Sequence, residues 1–381
     1  MEKRQRSGGR RQGMIAVRGA RNSSSGHQLP AKGPGSSRPK LRLLLFAGLC
    51  AACLALGAGY AVLAAARTQT PAARTAGAPE FDAAAAEALQ AQPYLVFRST
   101  ARDATYGKVA LAARAAPDAA RVVTPLDCDR VYFAAGKGLC LTADRGVFTT
   151  YRGYIFDAHF TPGFTFPLAG LPSRARLSPD GRFAAMTVFV SGHSYADSSF
   201  STQTTLIDTD SGTMLGDLEE FTVWRDGAQI QSPDFNFWGV TFARDGNRFY
   251  ATLSTGGKKY LVEGDLAGRQ VRVIHDNVEC PSLSPDNTRL VFKRQVSSSG
   301  GRLAWQLQLL DLATLTETPL AAETRSVDDQ VEWLDDNRVL YALPDESTQA
   351  TPVTNTWVLP VDGSSPPQIF VPQAYSPAAV Q

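Results

Sequence analysis

One turn phrase recurs along this chain, and its spacing restricts the fold more than any other feature. "SRARLSPDGRFAAMTVFV", Ser173 to Val190, sets Ser-Pro-Asp-Gly between apolar runs. Related phrases lead from Asp127 ("DCDRVYF"), Asp245 ("DGNRFYA"), Asp286 ("DNTRLVF") and Asp335 ("DDNRVLY"). With Asp180 included, these leading aspartates are 53, 65, 41 and 49 residues apart, a period broken by insertions. Pro presets φ for the turn, Asp bonds its own backbone, and Gly or Asn accepts the left-handed conformation. The runs that follow, such as Leu290-Val291-Phe292 and Val339-Leu340-Tyr341, are β-branched or aromatic and of strand length.

A second phrase alternates with the first. An apolar run enters an Asp or Gly turn in "TTLIDTDSGT" from Thr204, "KYLVEGDLAGR" from Lys259, "QLQLLDLATLT" from Gln306 and "TWVLPVDGSS" from Thr356. Weaker forms stand at Lys108 and Leu139, and "PYLVFRS" at Pro93 reads as the first phrase without its turn. Paired, the phrases give six units between about Pro93 and Phe370, each of two hairpins. Four-stranded units repeating every 40–50 residues or so are the signature of propeller blades. The expected fold is all-β, a six-bladed β-propeller. A β-sandwich rich in Asp-Gly turns is the alternative, but it leaves the fixed alternation of two phrases unexplained.

Charge is segregated ahead of this region. Up to Arg42 there are eleven Lys/Arg and one acid, Glu2, which leaves 27 bases and 35 acids, a net of −8, for the rest. So acidic a body repels phosphate backbones, and nucleic acid is not an expected partner of the propeller. Leu43 to Ala66 then runs 24 residues without a charge, long enough to cross a bilayer as a helix. The basic flank precedes the span, which orients the amino terminus to the cytoplasm and the propeller outside. A cleaved signal peptide, with Ala64-Ala65-Ala66 as its cleavage site, is the competing reading. Its apolar core is ordinarily shorter, roughly 7–15 residues, so an uncleaved anchor is favoured. Neither Cys50 nor Cys53 follows a convincing lipobox. The expected organisation is a basic disordered tail over 1–42, an anchor helix over 43–66 and an Ala/Pro linker over 67–92 with a short helical turn from Phe81. The propeller follows over 93–381.

"RLSPDGRFAAM", "PSLSPDNTRLVF" and "VEWLDDNRVLYAL", each followed by a strand ending in a phrase such as "LLDLAT" or "VLPVDGS", resemble the WD-like repeat of TolB-type propellers. The likeness covers roughly residues 93–370. It implies a six-bladed propeller, commonly extracytoplasmic in bacteria and used mostly as a protein-interaction platform. The chain departs from the family in its amino-terminal anchor and in showing no α/β domain before the propeller.

Motifs for chemistry are few. "GHSYA", Gly192 to Ala196, approaches a lipase nucleophile elbow with Ser194 as nucleophile, but Ala196 stands where the second Gly belongs and no strand-turn-helix context surrounds it. "DTDSG", Asp208 to Gly212, hints at a calcium loop. Its Gly comes one position early. Counted from Asp208, Glu219 falls twelfth but Gly212 falls fifth; with Gly212 set sixth, neither Glu219 nor Glu220 falls twelfth. No register fits without distortion. His27, His159, His193 and His275 lack zinc spacing. No cofactor, metal or catalytic residue is expected. Cys128 and Cys140 fall in one predicted hairpin, where a disulfide persists outside the membrane. The register sets Cys140 opposite Phe133, so bonding requires a bulge or an irregular strand start, and the pairing stays open.

Two insertions lengthen the third and fourth units. The second, Trp224 to Gly239, concentrates Trp224, Phe235, Phe237 and Trp238. Aromatics on a rim can anchor a partner, or they pack between blades, the favoured reading here. The expected work is binding of an envelope protein or a glycan by a single-pass membrane protein. The alternative is an enzyme of lyase, lactonase or cyclase type, and acids or histidines from several blades gathering at the channel would mark it.

Overall fold

A computed structural model describes residues 38–68, 77, 79–146, 148–192, 195, 200–297, 303–345 and 353–381. The basic tail ahead of Arg38, residues 69–76 and 78 of the Ala/Pro linker, and His193, Ser194 and Ala196 of the elbow-like motif lie outside them. The chain divides into two compact units, residues 1–70 and 71–381. Among the described residues the first contains one helix, Arg38–Thr68. Its stretch Leu43–Tyr60 has a mean hydropathy of 2.1 and is long and apolar enough to cross a membrane.

The second unit is a six-bladed propeller, its six sheets following one another around an axis. Blade two runs Arg130–Ala134, Lys137–Arg145, Thr149–Asp157, Pro162–Pro167 from the axis outward. Blades three, five and six repeat that meander. Blade one is built from both ends of the propeller. Tyr94–Ser99, Lys108–Ala113 and Val122–Asp127 supply its outer three strands, and Ala374–Val380 supplies the innermost, pairing antiparallel with Tyr94–Ser99. This explains why "PYLVFRS" lacks a preceding turn: its inner neighbour arrives from nearly 300 residues further on.

The repeated turn does what its chemistry requires. Asp180 Oδ1 accepts from Ser178 Oγ at 2.5 Å and Arg182 N at 3.1 Å, and Asp286 Oδ1 from Ser284 Oγ at 2.5 Å and Thr288 N at 3.0 Å. Asp245 and Asp335 bond the amides of Asn247 and Asn337 in the same way. Each turn joins the innermost strand of a blade to the second. Asp127 does not belong to this set. It ends the outermost strand of blade one and pairs with Lys108 Nζ at 2.6 Å. The equivalent turn of blade two is Ala135-Gly136, both at positive φ, which carries no aspartate to mark it.

Blade four has six strands. The insertion folds as a hairpin, Thr222–Arg225 with Ala228–Ile230, turning at Asp226-Gly227 and pairing parallel to the blade's outer strand Gln270–Asp276. Apolar side chains fill the spaces between blades. Phe237, Phe249, Leu253 and Val262 of blade four pack with Leu206 and Ala185 of blade three, and each such side chain contributes about 1.5–3 kcal/mol on burial. The short helix Ala83–Gln90 is N-capped by Asp82 and lays Ala86 and Leu89 on Phe133, Phe156 and Phe160. The sequence suggested one turn here, and two are formed. The inner strands of blades four and five approach closely at Gly239. It has φ +66°, and a Cβ there would lie 2.5 Å from Cys280 Cα.

Candidate functional site: the axial channel

Six inner strands leave a channel, and its polar lining falls into layers. Tyr132, Arg176, Thr241, Ser282 and Glu332 each stand immediately before an apolar residue of their innermost strand: Phe133, Leu177, Phe242, Leu283 and Trp333. All ten line a mouth of about 500 Å³ on the side of the repeated turns. Arg176 reaches Glu332 across the channel and also donates to Val331 O at 3.0 Å. Tyr132 donates its hydroxyl to Glu332 at 3.1 Å and carries the Arg176 guanidinium over its ring at 4.5 Å. The Ala379 amide completes the set at 3.3 Å from Glu332 Oε1. Burial raises the Glu332 pKa against the pull of Arg176, and it raises the Tyr132 hydroxyl as well.

Deeper lie Arg130 and Arg174, two residues earlier on the strands of Tyr132 and Arg176, with Asp328 and Asp329 on the segment entering blade six. Arg130 pairs with Asp329 at 3.6 Å and stacks on Tyr375 at 4.4 Å. Lys293, fully buried, pairs with Asp328 and sits over the rings of Tyr195 at 4.6 Å and Trp305 at 4.7 Å. Glu279 accepts from Trp305 Nε1 at 2.9 Å and pairs with Lys259 at 3.3 Å. The end of the channel where the inner strands begin is closed by packed aromatics, Phe189, Tyr195, Trp238 and Trp305, with Cys280 among them. Tyr195 bonds Ser173 Oγ at 2.5 Å, and burial pushes its hydroxyl up to about 12.

The arrangement decides between readings the sequence left open. Phe237 and Trp238 are completely buried and present no face to a partner, because on the innermost strand of blade four Phe237 points between blades and Trp238 into the aromatic cluster with Tyr195 and Trp305. Phe235 packs beside them, half-buried. Trp224 remains at the edge. It donates Nε1 to Gln270 at 3.1 Å in a groove of about 590 Å³ with Arg248, Glu263 and Arg272. Cys128 and Cys140 are joined by a disulfide with Cα atoms 5.5 Å apart. Cys140 stands opposite Val131, and Cys128 reaches it because the chain enters the strand irregularly, Asp129 N bonding Leu141 O. Asp208 spends its carboxylate on the amides of Asp210 and Ser211 within its own turn. Among the described residues no group of three or more His, Cys, Asp or Glu is placed to hold a metal.

Sequence reasoning missed the channel charges. Acidic and basic groups from several blades do converge on the axis. They are engaged with one another, whereas a general base or a nucleophile needs a free lone pair. A signal was present: Arg174 and Arg176 alternate within an otherwise apolar strand, and Glu332 occupies the same place in its own repeat.

No protein-family model matches the chain, and no curated protein matches it in sequence. Solved structures do. TolB from Acinetobacter baumannii aligns with a TM-score of 0.50 at 15% identity, over 76% of this chain and 67% of that one. The fold is that of a TolB-type six-bladed propeller. A chain of a nidogen/laminin complex aligns with a TM-score of 0.48 at 13% identity, over 75% and 98%. The β-propeller domain of the Trilobed protease from Pyrococcus furiosus gives 0.37 at 11%, over 62% and 69%.

Proposed function

We propose that this TolB-like propeller is a membrane-anchored, extracytoplasmic binding protein that receives a segment of a protein partner at the turn-side mouth of its channel. The mouth itself carries the reading. Its rim offers Ala135, Pro179 and Pro285, and its floor offers the Tyr132, Arg176 and Glu332 groups with Thr241 and Ser282. Apolar contact around a few convergent polar groups suits a peptide segment, which brings amides and side chains together. The mutual pairing of the channel carboxylates favours recognition over catalysis. An apolar helix preceded by a strongly basic segment supports an anchor with its amino terminus in the cytoplasm, and the Cys128–Cys140 disulfide suits an oxidising compartment.

A photo-crosslinking residue at Arg244, exposed on the rim of the mouth, tests this in membranes holding the full chain. One discrete envelope protein is expected to attach there and not at Lys258, in a turn at the opposite end of blade four. Equal labelling from both positions, or from neither, contradicts the reading. The convergence of Arg176, Tyr132 and Glu332 from three blades favours one rival, an enzyme acting at the same mouth. Turnover of a lactone or polyuronide that is lost in Glu332→Gln would establish it.

A further inference from the structure

Among the described residues, the channel contains one positive charge more than it pairs. Five cations enter it, Arg130, Arg174, Arg176, Lys259 and Lys293, against four carboxylates, Glu279, Asp328, Asp329 and Glu332. Four couples form: Arg130 with Asp329, Arg176 with Glu332, Lys259 with Glu279, and Lys293 with Asp328. Arg174 is left over. The carboxylate oxygen it approaches, Asp328 Oδ1, is 4.0 Å away and already holds Lys293. Its remaining contacts are the carbonyls of Ser173 at 2.9 Å and Asp328 at 3.5 Å and the ring of Tyr195 at 5.0 Å. The residue is only 6% exposed. A buried charge without its own counter-ion is costly.

Two further observations fall at the same place. The Nε atoms of Arg174 and Arg176 are buried and have no hydrogen-bond partner in the protein, a condition that native interiors seldom leave uncorrected. Both residues line a small cavity of about 20 Å³ with Arg130, Gln330 and Ser376. That is room for a single water or monatomic ion. Asp329 also lines it, but its two oxygens are engaged by Arg130 and by the Ala342 amide at 3.1 Å. A water would satisfy the donors and leave the charge. A single-atom anion satisfies both, while an oxyanion is too large for the space.

We infer that this cavity binds one small monovalent anion of chloride size, held by Arg174 with Arg176 and Arg130. The ion would tie together blades two and three, the closing strand of blade one through Ser376, and the segment leading into blade six. The inference does not depend on what occupies the channel mouth, and its test reads stability and ion binding alone.

The test is a thermal melt of the full chain in detergent micelles, with chloride replacing gluconate at constant ionic strength. The midpoint is expected to rise by a few degrees and to saturate, with bromide acting alike and sulfate inactive. Arg174→Met, which removes the surplus charge, should abolish the chloride dependence without lowering the midpoint measured in gluconate. Should that variant fail to fold, chloride-35 line broadening by the unaltered protein, displaced by bromide, reads the same site. Superimposable melts in chloride and gluconate without excess line broadening overturn the inference.

Discussion

Arg176 and Glu332, separated by 156 residues, face each other across the channel axis as a buried ion pair. The pair exists only because blades three and six are turned toward a common centre, so it reports ring closure directly. Glu332→Gln is expected to cost about 3–5 kcal/mol, because it strands a buried guanidinium. The double variant Arg176→Met with Glu332→Leu should recover most of that loss. Denaturant titrations of the two single variants and the double variant check this. A double variant less stable than either single one would refute it.

Trp238→Ala should cost about 3–5 kcal/mol, since the indole is fully enclosed by Tyr195, Phe200 and Cys280. Trp224→Ala, at a half-buried edge with one hydrogen bond, should cost about 1 kcal/mol. Thermal midpoints separate the two. Similar losses would mean that the edge ribbon is part of the core.

The disulfide closes a loop of 12 residues and should contribute about 3 kcal/mol. Cys128→Ala with Cys140→Ala should melt lower by that equivalent, and dithiothreitol should lower the unaltered protein alone. A midpoint indifferent to reductant would show that the buried pair adds nothing measurable.

Glu219 joins blades three and four, its carboxylate accepting the amides of Thr204 and Phe237, both at 3.2 Å. Burial raises its pKa from 4.5 to about 7, against the pull of those amides. The folded protein therefore keeps a proton that the unfolded chain has already released. Stability from this source is complete below about pH 4.5 and drains away as pH climbs through about 7. Relative to the unaltered protein, Glu219→Gln should gain in midpoint between pH 5 and pH 8. A difference that stays flat over that interval would rule the linkage out.

How much could be read in advance varies with the range of the interaction. The turns at Asp180, Asp245, Asp286 and Asp335 are local: each aspartate bonds an amide two residues on, so a few letters suffice. The apolar run from Leu43 is legible from composition alone. Ala374–Val380, "AYSPAAV", escaped notice because it has small residues and a proline where β-branched residues would mark a strand. Pro377 is tolerated there because the strand's other edge faces the channel and has no neighbour to bond. Asp127 copied the letters of the repeated turn while lying at a crossing between blades. The channel ion pairs join residues far apart in the chain, and only the curvature of the closed ring decides which of them meet.

That closing strand has a temporal meaning. Until residues 374–380 emerge and dock beside Tyr94–Ser99, the first blade has no inner neighbour and its Leu95–Phe97 backbone is an open edge available to any passing extended peptide. The nascent chain must therefore wait, exposed, for its final piece. A chaperone that shields unpaired strands would be needed during that interval and dispensable after it.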